Sequence, residues 1–262
     1  KEVIPKLIAL NKRVIDHSGD FRYKDVEVYE KWYGIKHQMP ELLEKSVYGL
    51  PELYRDKIKN AQIVANPGCY PTCSILGIAP LLKNNIIDTK NILIDAASGV
   101  TGAGRSTDLP YQFCECTENY KAYKVSNHRH TSEIEQELSF LSNENILVSF
   151  TPHLAPMKRG MLATIYGNLK KETSTSELIN LYREFYKNEY FIRVLDEGKL
   201  PETKFVAGSN FIDISIVVDK RLNRVVVLSC IDNLGKGASA QAVQDLNIMC
   251  GYDEKTGLEA PG

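Results

Sequence analysis

The chain has 262 residues and carries 32 Lys and Arg against 33 Asp and Glu, a formal net charge of −1. That balance excludes the domain-wide basic excess of a nucleic-acid platform, and 43% hydrophobic with 25% charged residues is ordinary globular composition, which excludes global disorder. The length suffices for one large core or two smaller ones. No apolar stretch approaches the roughly 18 residues that cross a bilayer. The opening Lys1-Glu2-Val3-Ile4-Pro5 also lacks the apolar block of a secretion signal. The expectation is a soluble cytoplasmic protein with no membrane partner. Six cysteines at irregular spacing do not make a disulfide framework. Cys114-Glu115-Cys116 lacks the two-residue spacer of a zinc knuckle, so no metal site is expected.

In chain order, Val3, Leu7, Ile8 and Leu10 sit at helical spacing and residues 13–16 read as a short strand. With no cap signal ahead of them and no earlier strands to pair, the chain is expected to open in mid-domain. A short helix is expected over 25–32, then turns at Pro40, Gly49 and Pro51. Residues 62–65 read as a buried strand. Asn66-Pro67-Gly68-Cys69-Tyr70-Pro71-Thr72 follows as a tight turn opening a helix with the stripe Ile75, Ile78, Ala79 and Leu82. Pro71 is expected at the first helical position, and Pro80 is expected to kink or restart the helix.

Residues 92–95 read as a strand and 98–105 as a flexible loop. Ser132 with Glu135, and Ser174 with Glu177, have capping-box spacing ahead of apolar stripes. Strands are expected over 146–150, 162–166, 212–218 and 225–231. In the third of these, Ile212, Ile214 and Ile216 alternate with Asp213 and Ser215. The polar loop 219–223 makes part of this sheet antiparallel. A closing helix over 238–250 should end at Gly251.

Among residues able to carry chemistry, Cys69 stands on a Pro-Gly turn at a helix start, where free N–H groups and the helix dipole favour a thiolate. The same N–H groups offer an oxyanion hole. His128-Arg129-His130 is the densest histidine cluster, and Glu133 is placed to hold the His130 imidazole as its orienting partner. Arg105 and Lys158-Arg159 are candidates for binding phosphate or carboxylate. Gly99, Gly102 and Gly104 do not follow G-x-G-x-x-G, so this loop is no dinucleotide fingerprint. From residues alone, acyl chemistry at Cys69 is the natural reading; a Cys-His hydrolase or acyltransferase would use the same thiolate, base and oxyanion hole without hydride, and an inert catalytic or oligomerisation fragment stays open.

Four ordered motifs narrow the choice: Asn66 to Thr72, Ser98-Gly99-Val100-Thr101-Gly102-Ala103-Gly104-Arg105, His128-Arg129-His130-Thr131-Ser132-Glu133-Ile134-Glu135-Gln136, and Asp232-Asn233-Leu234-Gly235-Lys236-Gly237. Together with Ser18-Gly19-Asp20-Phe21-Arg22 and Thr151-Pro152-His153-Leu154, they make the chain resemble the N-acetyl-gamma-glutamyl-phosphate reductase family. The resemblance implies an α/β plus α+β fold with a mixed, partly antiparallel sheet. The expected parts are a remnant of an NADP-binding Rossmann domain over 1–66, a glyceraldehyde-phosphate-dehydrogenase-like catalytic and oligomerisation domain over 67–236, and a returning C-terminal helix over 237–262.

The implied activity is NADPH-dependent reduction of N-acetyl-gamma-glutamyl phosphate through a Cys69 thioester, in arginine biosynthesis. His130 would be the general acid/base, aided by Glu133 with His128 nearby. Asn66, Arg105 and Arg159 would meet substrate, and Ser18, Gly19, Asn233 and Gly237 the NADP(H) nicotinamide. The family's glycine-rich phosphate loop has no counterpart in these residues, so weak NADPH binding is expected of the chain as given. A dimer or tetramer is implied.

Overall fold

The computed structural model describes residues 3–259 and builds two sheets. Its strands are β1 (Val14–Asp16), β2 (Ser46–Tyr48), β3 (Ile63–Ala65), β4 (Ile92–Gly99), β5 (Lys121–Ala122), β6 (Val148–Ala155), β7 (Met161–Asn168), β8 (Ile192–Val194), β9 (Ile212–Asp219) and β10 (Arg224–Ile231). The helices are α1 (Val3–Ala9), α2 (Val26–Tyr33), α3 (Pro51–Asn60), α4 (Cys69–Lys83), α5 (Phe113–Cys116), α6 (His130–Ser142), α7 (Thr175–Phe185), α8 (Thr203–Val206) and α9 (Ala240–Cys250).

The first sheet is parallel, in the order β1-β3-β2. Its central strand is buried on both faces, as parallel sheets require. Ile63 and Ala65 pack with Ile4, Phe21, Leu42 and Leu43 on one side. Val64 packs on the other side with Ile58 of α3 and with Ile248 and Met249 of α9, so the last helix returns to the first sheet.

The second sheet runs β5-β6-β4-β7-β10-β9-β8 and is mixed, with β4–β6 and β8–β9 parallel and the remaining pairs antiparallel. One face carries Ile94, Ile165, Ile214 and Val227 against α4, α6 and α7. From Tyr70 to Leu82, α4 is buried without a break, which explains its almost uniformly apolar sequence. Asp25 caps α2 and the Ser174–Glu177 capping box of α7 is complete.

Several expectations are corrected. Helix α4 begins at Cys69, so Pro71 occupies the third position of its first turn, where the missing N–H still costs no intrahelical bond. Pro80 lies inside the helix, which continues to Lys83 rather than restarting. Ser132 does not cap α6. That helix starts two residues earlier because the His128 Nδ1 accepts the His130 backbone N–H at 3.2 Å. Ser132 instead donates to the Arg129 carbonyl, and Glu135 accepts the Val148 N–H.

Strand β6 covers Val148–Ala155 and so starts later and runs further than 146–150. The loop over 98–105 is partly regular, since Gly99 ends β4 and Val100–Ala103 forms a 3₁₀ turn. The polar positions of β9, Asp213 and Ser215, have partners of their own. Both are buried, Asp213 in a 2.5 Å pair with Arg193 and Ser215 donating to the Lys199 carbonyl.

Candidate active site

The chain leaves the C-terminal end of β3 at Ala65, turns through Asn66-Pro67-Gly68 and enters α4 at Cys69. Ligands of open parallel sheets gather at these strand ends. Cys69 is half-buried in a wall shared by two cavities, of about 270 and 450 Å³. The smaller lies on the side of the large sheet, lined by Ser98, Tyr123, Lys124 and His128. The larger lies against the small sheet, lined by Ser18, Gly19, Asn66, Asn233 and Gly237. His130, Gly102 and Arg129 line both.

Bare backbone makes this approach possible. A Cβ on Gly68 would collide with the His130 imidazole, and one on Gly237 would stand 2.8 Å from the Cys69 Cβ. Both rings of the His128-Arg129-His130 cluster are buried, with centroids 4.7 Å apart. Burial, with the nearby Arg22 and Arg129 charges, holds His130 well below the ordinary imidazole range, and burial pushes His128 down to about 4. Both are therefore neutral at pH 7, the proton-accepting form. His128 spends its Nδ1 on the α6 cap and reaches only the smaller cavity.

Two electrostatic expectations are corrected. Burial pushes the Cys69 thiol up to about 11, overriding the Tyr70 and Cys69 N–H groups and the Arg22 charge that pull it down. At pH 7 Cys69 is thus a thiol, which a base would have to deprotonate before it could attack. Glu133 does not hold His130 by a hydrogen bond, since its carboxylate lies 4.0 Å from Nε2. It is fully buried and accepts instead from the Gly68 N–H at 2.9 Å, the Tyr48 hydroxyl at 2.7 Å and Arg22 at 3.1 Å.

Two predicted anion contacts lie elsewhere. Arg105 is exposed and lines neither cavity. Arg159 lines neither and pairs with the buried Asp232 at 3.3 Å, because that carboxylate also gathers the N–H groups of Gly208, Leu234 and Gly235. Asn66 falls in the small-sheet cavity rather than the smaller one. Its Nδ2 donates to the Ala238 carbonyl, while its buried Oδ1 has no partner among the described residues.

Four relevant residues escaped the sequence reading. Arg22 joins Glu133, the Asn66 carbonyl and the His17 carbonyl, and its position at the end of the Ser18 motif was the available signal. Lys124 and Arg129 bring positive charge to the smaller cavity, and Arg129 lies between the two histidines. Tyr48 gave no signal. Cys73 is buried against Ser229, as a core cysteine.

Family models described as "Semialdehyde dehydrogenase, NAD binding domain" and "Semialdehyde dehydrogenase, dimerisation domain" match residues 1–61 and 69–233. The aspartate semialdehyde dehydrogenase II of Vibrio cholerae shares the fold, with a TM-score of 0.71 over 95% of this chain and 77% of that one at 16% identity. That of Francisella tularensis gives a TM-score of 0.69 at 16% identity over 95% of this chain and 78% of that one. The fold and both matches define an oxidoreductase of the semialdehyde dehydrogenase class that uses a nicotinamide cofactor.

The N-acetyl-gamma-glutamyl-phosphate reductase of Acetivibrio thermocellus is 76% identical over all of this chain and 76% of its own length. That of Geobacter sulfurreducens is 57% identical over 98% of this chain and 75% of its own. The chain belongs to the N-acetyl-gamma-glutamyl-phosphate reductase family. Among the described residues, no helix is long and apolar enough to cross a membrane.

Proposed function

We propose that Cys69 carries the family reaction, the reduction of N-acetyl-gamma-glutamyl phosphate to N-acetylglutamate 5-semialdehyde in arginine biosynthesis. The observation that carries this reading is the position of Cys69 between two cavities with neutral His130 on both. His130 takes the thiol proton as sulfur attacks the acyl carbon. The bond from that carbon to the phosphate oxygen breaks, phosphate leaves and a Cys69 thioester remains. The Cys69 and Tyr70 N–H groups, which lie in the first turn of α4 beside the sulfur, stabilise the oxyanion. Lys124 and Arg129 receive the substrate's anionic groups.

The larger cavity suits a nicotinamide, because it opens beside Cys69 and Gly19 and Gly237 present bare backbone in its wall. Ser18, Gly19, Asn66, Asn233 and Gly237 would hold that end of the cofactor. A bound reduced nicotinamide supplies the hydride that converts a thioester to an aldehyde. Its NADP form is the one the family resemblance supports. His130 then holds the proton that the departing sulfur needs. In the full-length enzyme, substrate-dependent NADPH oxidation with equimolar phosphate release tests the reaction. Continuous phosphate release over many turnovers, with NADPH present and not oxidised, would reject it in favour of a hydrolase.

The division into residues 1–66, 67–236 and 237–262 suits this reading, although residues 1–2 and 260–262 lie outside the described ones. Cytoplasmic placement goes with a biosynthetic role. A second copy is proposed to cover the outer face of the large sheet, where Leu93, Tyr166, Val226 and Val217 form one cross-strand row with each side chain at least partly exposed. Sedimentation of Tyr166→Asp should show dissociation relative to wild type, and unchanged sedimentation would reject this face.

A further inference from the structure

Lys236 is fully buried, a rare place for a lysine. Its Nζ lies 2.5 Å from Glu52 Oε1 and 2.8 Å from Gln244 Oε1. The Glu52 side chain, in the first turn of α3, is itself buried. The pair therefore ties a helix packed on the first sheet to the turn that follows β10. A hydrophobic side chain of similar volume would fill the same space without desolvating two charges, so filling alone does not account for this pair.

The backbone on either side of Lys236 is anchored, at Asp232 before it and at Ala238 after it. Residues Gly235–Ser239 form a π turn, one residue wider per bond than an α-helix. The Leu234 and Gly235 N–H groups both donate to Asp232 Oδ1 at 2.8 Å, and the Gly237 N–H donates to the Asp232 carbonyl at 2.9 Å. A Cβ on Gly235 would collide with the Ser209 carbonyl. On the far side, the Ala238 carbonyl accepts from Asn66 at 3.1 Å. The next residue after Lys236 is Gly237, which approaches Cys69 so closely that a Cβ there would stand 2.8 Å from the cysteine Cβ.

We propose that Lys236 is a positioning residue: through Glu52 it fixes the turn that seats Gly237 against Cys69, and so sets the width of the small-sheet cavity beside the nucleophile. This rests on the reading of that cavity as the nicotinamide site. The role concerns cofactor binding and leaves acylation of Cys69 untouched, because the phosphate-releasing half-reaction belongs to the smaller cavity.

The test compares the full-length wild type with Lys236→Met and with Lys236→Met/Glu52→Gln. Removing one charge strands the other in the interior, whereas removing both relieves that penalty, so the double variant separates stability from positioning. The readouts are the NADPH dissociation constant, the rate of Cys69 acylation in a single turnover without NADPH, and the melting temperature.

Expected are a tenfold or larger rise in the NADPH dissociation constant in both variants, acylation within twofold of wild type, and a melting temperature that falls in the single variant and recovers in the double. Recovery of NADPH affinity together with the melting temperature would overturn the proposal, leaving Lys236 a purely structural residue. Unchanged affinity in a folded Lys236→Met protein would overturn it as well. A wild type whose Cys69 takes no acyl group would contradict the nucleophile assignment alone, since NADPH affinity reads Lys236 independently of it.

Discussion

The Gly68 N–H donates to the buried carboxylate of Glu133 at 2.9 Å, so the residue that precedes Cys69 is held by the side chain expected to orient the base. Glu133 also neutralises Arg22, which in turn grips the Asn66 carbonyl. The carboxylate thus fixes where Cys69 stands, and His130 packs over Gly68 without its hydrogen bond.

Replacing Glu133 with Gln should therefore act mainly on stability. Arg22 would lose its buried counter-charge, a change that typically costs about 3–5 kcal/mol. A clear drop in melting temperature is expected, with a smaller loss of kcat than the loss of the base produces. An unchanged melting temperature would remove Glu133 from this role.

For the base itself, His130→Asn should reduce kcat by about 10²–10⁴-fold, the usual contribution of a general acid/base. His128→Asn should cost less, because His128 caps α6 and reaches one cavity only. The depressed His130 pKa sets the sign of the pH dependence. The neutral base persists as pH falls past the ordinary imidazole value, so the acid limb of kcat/KM should lie below pH 6.5. An acid limb at or above that value would contradict the assignment.

The raised Cys69 pKa predicts slow alkylation of the free enzyme. Below a pKa of about 11 the thiolate fraction grows tenfold per pH unit, so iodoacetamide labelling should climb steadily from pH 7 to 9. A rate already level across that range would restore the resting thiolate expected from the sequence.

Burial raises Glu137 to about 7, although Tyr54 and Gln136 donate to it. The folded state then binds the proton more tightly than the unfolded chain does. Its stabilising effect is complete below about pH 4.5 and is lost as pH rises through about 7. Glu137→Gln should accordingly gain up to about 3 kcal/mol above pH 7 and little at pH 4.5. Denaturant unfolding at the two pH values reads the difference, and equal effects at both would show that Glu137 is not protonated in the fold.

The central parts of the fold and site were legible because they are local. A buried strand, a Pro-Gly turn and an apolar helix place Cys69 without tertiary information, and Ser174 with Glu177 caps α7 as their spacing says. What was not legible depends on contacts across the fold. Arg105 and Arg159 resemble any anion-binding arginines, yet a buried carboxylate at Asp232 engages one and the other stays exposed. Ser132 has the spacing of a cap, but a histidine ring two residues upstream of the helix start takes the role. The thiol's charge state likewise follows from burial, which a helix start alone does not reveal.

The covalent role of Cys69 is tested most directly by intact-mass measurement of the full-length enzyme mixed with N-acetyl-gamma-glutamyl phosphate in the absence of NADPH. The account predicts one N-acetylglutamyl group per chain, mapped to Cys69, with a matching burst of phosphate and no adduct in Cys69→Ser. An acyl group on another residue, or phosphate release by Cys69→Ser at the wild-type rate, would contradict it.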